Sequence, residues 1–233
     1  MNFDFLNHIN FNLILIQAPV ILLSLTIHEY FHGWTANKLG DPTAQMRGRL
    51  TLNPIAHLDV LGTILMFVVG FGWAKPVPIN AMNFKDPKKG TLLVAIAGPL
   101  SNLATAIVAG VILRPFIPKV LAGEIVPGSM DSIFVIILVL ALVYGIALAV
   151  FNLIPIPPLD GSRVLYAVLP ENYLYSYSRF EPYGVLFLFG LFIFGGGIFR
   201  YLIYPLSYIS VLFSGYDYSV LWNIIGLVLR WQT

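Results

Sequence analysis

Residues 132–161 read SIFVIILVLALVYGIALAVF followed by NLIPIPPLDG, and the two halves of that stretch decide the fold. The first half, Ser132–Phe151, carries no charged residue and has the length of about 20 residues with which a helix crosses a hydrocarbon core. The second half carries Pro155, Pro157 and Pro158. Proline lacks the N–H a helix needs and pushes the residue before it out of helical angles. A helix therefore ends at membrane depth and irregular backbone follows. Such backbone survives in lipid only where it is buried in protein or lines a wet cavity. The segment predicts a return toward other helices, with Asp160 at its end.

The rest of the chain agrees. Of 233 residues, 58% are hydrophobic and 10% charged, against about 25% charged in an average soluble protein. Mean hydropathy is +0.83. The 13 Lys and Arg and 11 Asp and Glu cannot cover the surface of a water-soluble globule of this size, so lipid must solvate the chain. Disorder, coiled coil and disulfide scaffold are excluded together. A net charge of +2 without a basic block argues against nucleic acid as a partner. Cysteine is absent, so any metal site must use nitrogen and oxygen ligands. Met1–Asn12 holds Asp4 and His8 but no Lys or Arg; it lacks the basic start of a cleaved signal, and the apolar run behind it reads as a retained spanning helix.

Candidate spans are Phe11–Asn37, Val60–Trp73, Thr91–Arg114, Ser132–Phe151, Tyr183–Tyr204 and Pro205–Arg230. This predicts an all-α polytopic membrane protein with about five to six transmembrane helices. Val60–Trp73 is short for a crossing and reads as partial or re-entrant. Lys75-Pro76-Val77-Pro78-Ile79-Asn80 cannot be helical and predicts extended backbone. The connections are too short for a soluble domain and no internal repeat occurs. Residues 1–233 are expected to form a single integral-membrane domain.

Ionisable residues inside apolar stretches mark function by default, because each costs about 2.5–3.5 kcal/mol at the membrane centre. His28-Glu29-Tyr30-Phe31-His32 is H-E-x-x-H on a predicted helix, where positions i and i+4 share a face and both imidazoles can reach one ion. Glu29 points about 100° away round the helix, placed to touch a water on that ion. A catalytic zinc uses three protein ligands and an open position, so one is missing. His57, Asp59, Asp160, Glu171 and Glu181 are the candidates. Asp160 is favoured because the Pro-rich segment carries it back toward the helices. The competing reading makes it the N-cap of a short helix at Ser162–Leu169.

His28–His32, followed by Asn152 and then Asp160-Gly161, resembles the site-2 protease family of intramembrane zinc metalloproteases. Gly48-Arg49-Leu50-Thr51-Leu52-Asn53-Pro54 with His57 and Asp59, Gly72-Trp73-Ala74-Lys75-Pro76-Val77-Pro78, and Ala97-Gly98-Pro99-Leu100-Ser101-Asn102 resemble its short prokaryotic branch, which lacks a PDZ or CBS domain. The resemblance implies one zinc ion on His28, His32 and Asp160, and Glu29 as general base. The expected reaction is hydrolysis of peptide bonds in or near transmembrane segments of membrane-protein substrates. Asn152 would lie beside the site, either holding the Pro-rich segment or donating to a substrate carbonyl or oxyanion. Gly98 and Pro99 read as a close helix approach or a kink, Asn102 as a hydrogen bond between helices, and Tyr173–Phe180 as an interfacial aromatic belt.

His28 and His32 lie about 9–15 Å from Lys38 along the helix. The site is therefore expected off-centre in the cell membrane, toward the face with Lys38, Arg47 and Arg49, which positive-inside counting makes cytoplasmic. Lys75, Lys85, Lys88 and Lys89 fit that orientation only if Val60–Trp73 does not cross. Other classes compete. A metal-binding membrane transporter would line a path with acidic or His residues, often in repeated halves, whereas here there is one cluster. An inactive protease-like scaffold is opposed by an intact Glu29.

Overall fold

A computed structural model of the chain describes residues 11–62, 73–194 and 198–229. Among them every regular element is a helix: α1 Phe11–Lys38, α2 Thr43–Met46, α3 Pro87–Leu113, α4 Ile117–Leu121, α5 Met130–Asn152, α6 Asp160–Val168, α7 Glu171–Ser178, α8 Gly184–Phe194, α9 Ile198–Ser214 and α10 Tyr218–Leu229. Short 3-10 turns cover Pro54–His57, Ala81–Asn83 and Glu181–Tyr183. An isolated antiparallel pairing joins Leu58 to Ala74.

Sequence sets the ends of the long helices. The Asp86 carboxylate accepts from the Lys89 N–H at 3.0 Å and Pro87 opens α3, an acidic cap followed by a residue already fixed at helical φ. Ser129 caps α5 by accepting from the Ser132 N–H at 3.2 Å, and the helix stops at Asn152, just before the prolines. With 27 and 23 residues, α3 and α5 are long and apolar enough to cross a membrane. Pro205–Ser214 and Tyr218–Leu227 are shorter apolar helical stretches.

The last break differs from expectation. A new span was expected to start at Pro205, but Pro205 lies inside α9. A helix packed among others tolerates an internal proline where neighbours compensate the lost bond. The break comes instead at Gly215, which has φ +84°, a conformation glycine adopts without strain. Asp217 then caps α10 by accepting from the Ser219 hydroxyl and the Val220 N–H. The interior of the expected Val60–Trp73 segment, residues 63–72, lies outside the described residues. Its ends meet, however: Leu58 pairs with Ala74, and the Lys75 N–H donates to the His57 carbonyl at 2.9 Å.

α3 is the central element, packed along both α5 and α1. Gly145 of α5 permits a close approach to α3, since a Cβ there would lie 2.7 Å from the Asn102 carbonyl oxygen. From Ala106 onward the α3–α5 seam is apolar and joins α9 and α10 through Leu113, Ile136, Leu140, Leu221 and Ile224, all fully buried. At the opposite end Ala36 of α1, Phe84 and Val94 of α3 form a second small core. Here the buried Asp41 carboxylate gathers donors from three places. It accepts from the Asn80 N–H and the Asn83 amide, each at 2.7 Å, and from the Thr43 N–H and hydroxyl. Burial pushes the Asp41 carboxyl up, but these donors outweigh it and hold it below the usual carboxylate range. They tie residues 80–83 to the C-terminal end of α1.

Candidate metal centre

His28 and His32 stand one turn apart on α1, buried at 4% and 6% exposure. Asp160 arrives from 128 residues further along the chain. The three facing atoms form a triangle. His28 Nε2 to His32 Nε2 is 3.0 Å, His28 Nε2 to Asp160 Oδ2 is 3.0 Å, and His32 Nε2 to Asp160 Oδ2 is 3.1 Å. In tetrahedral coordination with bonds of about 2.0–2.1 Å, neighbouring ligand atoms lie about 3.3 Å apart. The triangle matches one face of such a site after a shift of a few tenths of an ångström. Two neutral nitrogens and one carboxylate oxygen, with no thiolate, suit a zinc centre with an open fourth position. Among the described residues this is the group of three such donors close enough to share one ion.

Asp160 does not cap a helix starting at Ser162, as the competing reading had it. It is the first residue of α6, and the capping position belongs to Leu159. The Pro-rich return is pinned where Gly161 packs against the Leu153 and Ile154 carbonyls, leaving no room for a Cβ. The Tyr177 hydroxyl donates to the Ser162 carbonyl at 3.3 Å.

Each imidazole is held from behind by α3. The Val94 carbonyl lies 2.7 Å from His32 Nδ1; a carbonyl can only accept, so Nδ1 carries a proton and Nε2 is the nitrogen turned to the triangle. His28 Nδ1 lies 3.0 Å from the Asn102 side-chain amide. Between these two contacts sits Gly98, where a Cβ would overlap the His32 ring and lie 2.7 Å from His28 Cε1. The expected close approach at Gly98 is thus an approach of α3 backbone to the two histidine rings, and the expected cross-helix bond of Asn102 reaches His28.

Glu29 faces the same space from its own side of α1. Its Oε2 accepts from the Val77 N–H at 2.8 Å, in the non-helical stretch 75–80. The shared cavity, about 400 Å³, is lined by His28, Glu29, His32, Val77, Asn152, Asp160, Arg163 and Leu188 among others. Asn152 borders it while its amide donates back to the Leu148 carbonyl at 3.0 Å, so this donor is engaged within α5. His57 is buried elsewhere with Nε2 2.8 Å from the Thr51 carbonyl, and Asp59 accepts from the Gly62 N–H at 2.9 Å. Glu181 is exposed in its 3-10 turn, and the Glu171 side chain lies outside the described ones. Val77 was named from sequence only within the stretches Gly72–Pro78 and Lys75–Asn80, and Val94 and Arg163 were not named. The first two contribute backbone groups that any residue would supply. Arg163, one turn after Asp160, was open to an i, i+3 argument.

Residues 117–195 match peptidase family M50, a stretch that includes Asn152 and Asp160 but not the H-E-x-x-H. The chain is 42% identical over 176 residues to "Putative zinc metalloprotease YwhC" of Bacillus subtilis, covering 74% of this chain and 78% of that protein. It is 30% identical over 177 residues to "Putative zinc metalloprotease Rip2" of Mycobacterium tuberculosis, across 64% of that protein's length. Against "Zinc metalloprotease MJ0392" of Methanocaldococcus jannaschii it is 28% identical over 159 residues, 36% of that longer protein. The matches thus span less than two thirds of the Rip2 and MJ0392 chains. No solved structure matches.

Proposed function

Because this chain belongs to peptidase family M50, a family of intramembrane zinc metalloproteases, we propose that it hydrolyses peptide bonds in or near the transmembrane segments of other membrane proteins. The observation that carries this reading is the convergence of His28, His32 and Asp160 within 3.1 Å of one another, at the wall of a cavity that Glu29 also lines.

One zinc ion per chain would be held by His28, His32 and Asp160, and when bound it supplies a Lewis acid that acidifies water and polarises a peptide carbonyl. Glu29 takes the proton released as water attacks and returns it to the departing amine. The Val77 N–H fixes one oxygen of that carboxylate and so sets where the other points. Asn152 is a candidate to hold a substrate carbonyl once its amide turns from Leu148. A helical substrate hides its carbonyls in intrahelical bonds and must unwind before any of this. Residues 75–80 are non-helical, with Pro76, Val77 and Ile79 lining the cavity, and offer a backbone edge on which an unwound segment can pair.

The same reading takes residues 1–233 as one multi-pass membrane domain with about five to six crossings. Leu58 pairs with Ala74, so the described residues that flank residues 63–72 meet. Lys38, Arg47, Arg49, Lys75, Lys85, Lys88 and Lys89 then share one end, which is cytoplasmic by the positive-inside rule, with the site in the bilayer near it. The Arg49 guanidinium donating to the Lys75 carbonyl at 2.7 Å fits that grouping. The test is reconstitution in liposomes with a single-span reporter. Wild type cleaves it in a zinc-dependent manner and Glu29→Gln does not; equal cleavage by both removes the assigned chemistry.

A further inference from the structure

The two histidines of the centre are held in different ways, and the difference carries information. His32 Nδ1 meets a backbone carbonyl, an atom that accepts and nothing else. His28 Nδ1 meets the side-chain amide of Asn102, which is 0% exposed. An amide presents a donor on one side and an acceptor on the other. Its nitrogen faces His28, while its oxygen is buried with no hydrogen-bond partner among the described residues. In this arrangement Nδ2 donates to Nδ1, so the His28 proton sits on Nε2 and points at Asp160 Oδ2, 3.0 Å away. That tautomer links Asn102, His28 and Asp160 in one chain of contacts, but it leaves Nε2 no lone pair for a cation.

Rotating the amide by 180° exchanges its two ends at the same positions. Oδ1 then accepts from Nδ1–H, and the Nε2 lone pair joins that of His32 on the open side of the triangle. We infer that Asn102 is a positioning residue for His28, whose side-chain amide turns to select the metal-holding tautomer. The inference rests on the zinc reading above. The proton moves from Nε2 to Nδ1 of the same ring, so no net charge is created in a buried place. A carboxylate or a carbonyl would fix one tautomer permanently, and a hydrocarbon side chain would fix none. The surroundings leave the amide few alternatives. The backbone of Asn102 is pressed by α5 at Gly145, and Gly98 one turn earlier gives the rings their space.

The experiment measures metal affinity by chelator competition, and site geometry by the visible spectrum of the cobalt(II)-substituted full-length protein in detergent. Asn102→Leu should bind zinc about 10–100-fold more weakly than wild type and shift the cobalt bands. Asn102→Asp, which can still accept, should restore both, and Ser101→Ala, a buried neighbour whose hydroxyl bonds the Gly98 carbonyl, should change neither. Wild-type affinity and spectrum in Asn102→Leu overturn the inference, as does an Asn102→Asp that falls as far as Asn102→Leu. Should Asn102→Leu fail to fold, nitrogen NMR of labelled histidine in zinc-loaded wild type decides: a proton on His28 Nδ1 is expected, and its absence there overturns the assignment. A wild type that binds neither metal removes the zinc reading and this inference with it. A wild type that binds, beside an Asn102→Leu that binds equally, removes this inference alone.

Discussion

The two ends of α3 do opposite work. From Ala106 to Leu113 the helix meets α5 and α9 through small and aliphatic side chains, and what holds that end is shape. From Val94 to Asn102 it meets α1 through a carbonyl, a missing Cβ and an amide, and what holds that end is the placement of single atoms. Apolar packing is spread over many weak contacts and degrades gradually. A polar centre that must present two lone pairs and a carboxylate to one point fails at the loss of any one. Substitutions at the site end should therefore abolish function with little loss of fold, and those at the apolar end should do the reverse.

The largest effect is expected from Glu29→Gln, which keeps size and zinc but removes the base; peptide cleavage should fall by about 10²–10⁴-fold, with zinc content by metal analysis unchanged. A rate near wild type would place the base elsewhere. Next comes Gly98→Ala, which drives a methyl into both imidazoles. It should weaken zinc about as much as loss of an outer partner does, roughly 10–100-fold. Gly190→Ala, in α8 with open space around it, should bind zinc like wild type. Equal zinc affinity in all three proteins would break the contrast at its sharpest point.

The apolar end gives the converse. Leu140→Ala, a fully buried site on α5, should cost about 2–5 kcal/mol of stability in denaturation by detergent or heat while the folded fraction keeps its zinc affinity. The smallest effect concerns Asp41, whose folded pKa lies below its unfolded one because of its four donors. Its contribution is present in full above the unfolded value, about pH 4, and is lost as pH falls through the folded value. Asp41→Asn should thus be less stable than wild type by about 1–3 kcal/mol at pH 6, and the gap should close below about pH 4. Thermal melts across that range check it; a gap independent of pH would assign the difference to packing.

Much of this was legible in sequence because the bilayer simplifies the grammar. Ser132–Phe151 read as a spanning helix and α5 covers it within two residues at the start and one at the end, since no apolar run of that length has another stable form in lipid. The H-E-x-x-H spacing put His28 and His32 together through local geometry alone, and the prolines after Asn152 announced the return of Asp160. What stayed hidden is non-local. Val94 and Val77 act through backbone atoms, so their side chains carry no trace of the role. Asn102 was visible as a polar residue in an apolar helix, but its facing His28 depends on the α1–α3 packing. The end of α9 was misplaced because Pro205 looked like a stop, while the operative signal was Gly215 with the Asp217 cap behind it.

The most direct measurement of the central claim is zinc stoichiometry on the purified full-length protein, wild type beside Asp160→Ala and Glu181→Ala. One ion per chain in wild type and in Glu181→Ala, with zinc lost from Asp160→Ala, is the result expected if the His28–His32–Asp160 triangle is the metal site. Full, tight zinc binding by Asp160→Ala would contradict it and move the third ligand away from Asp160.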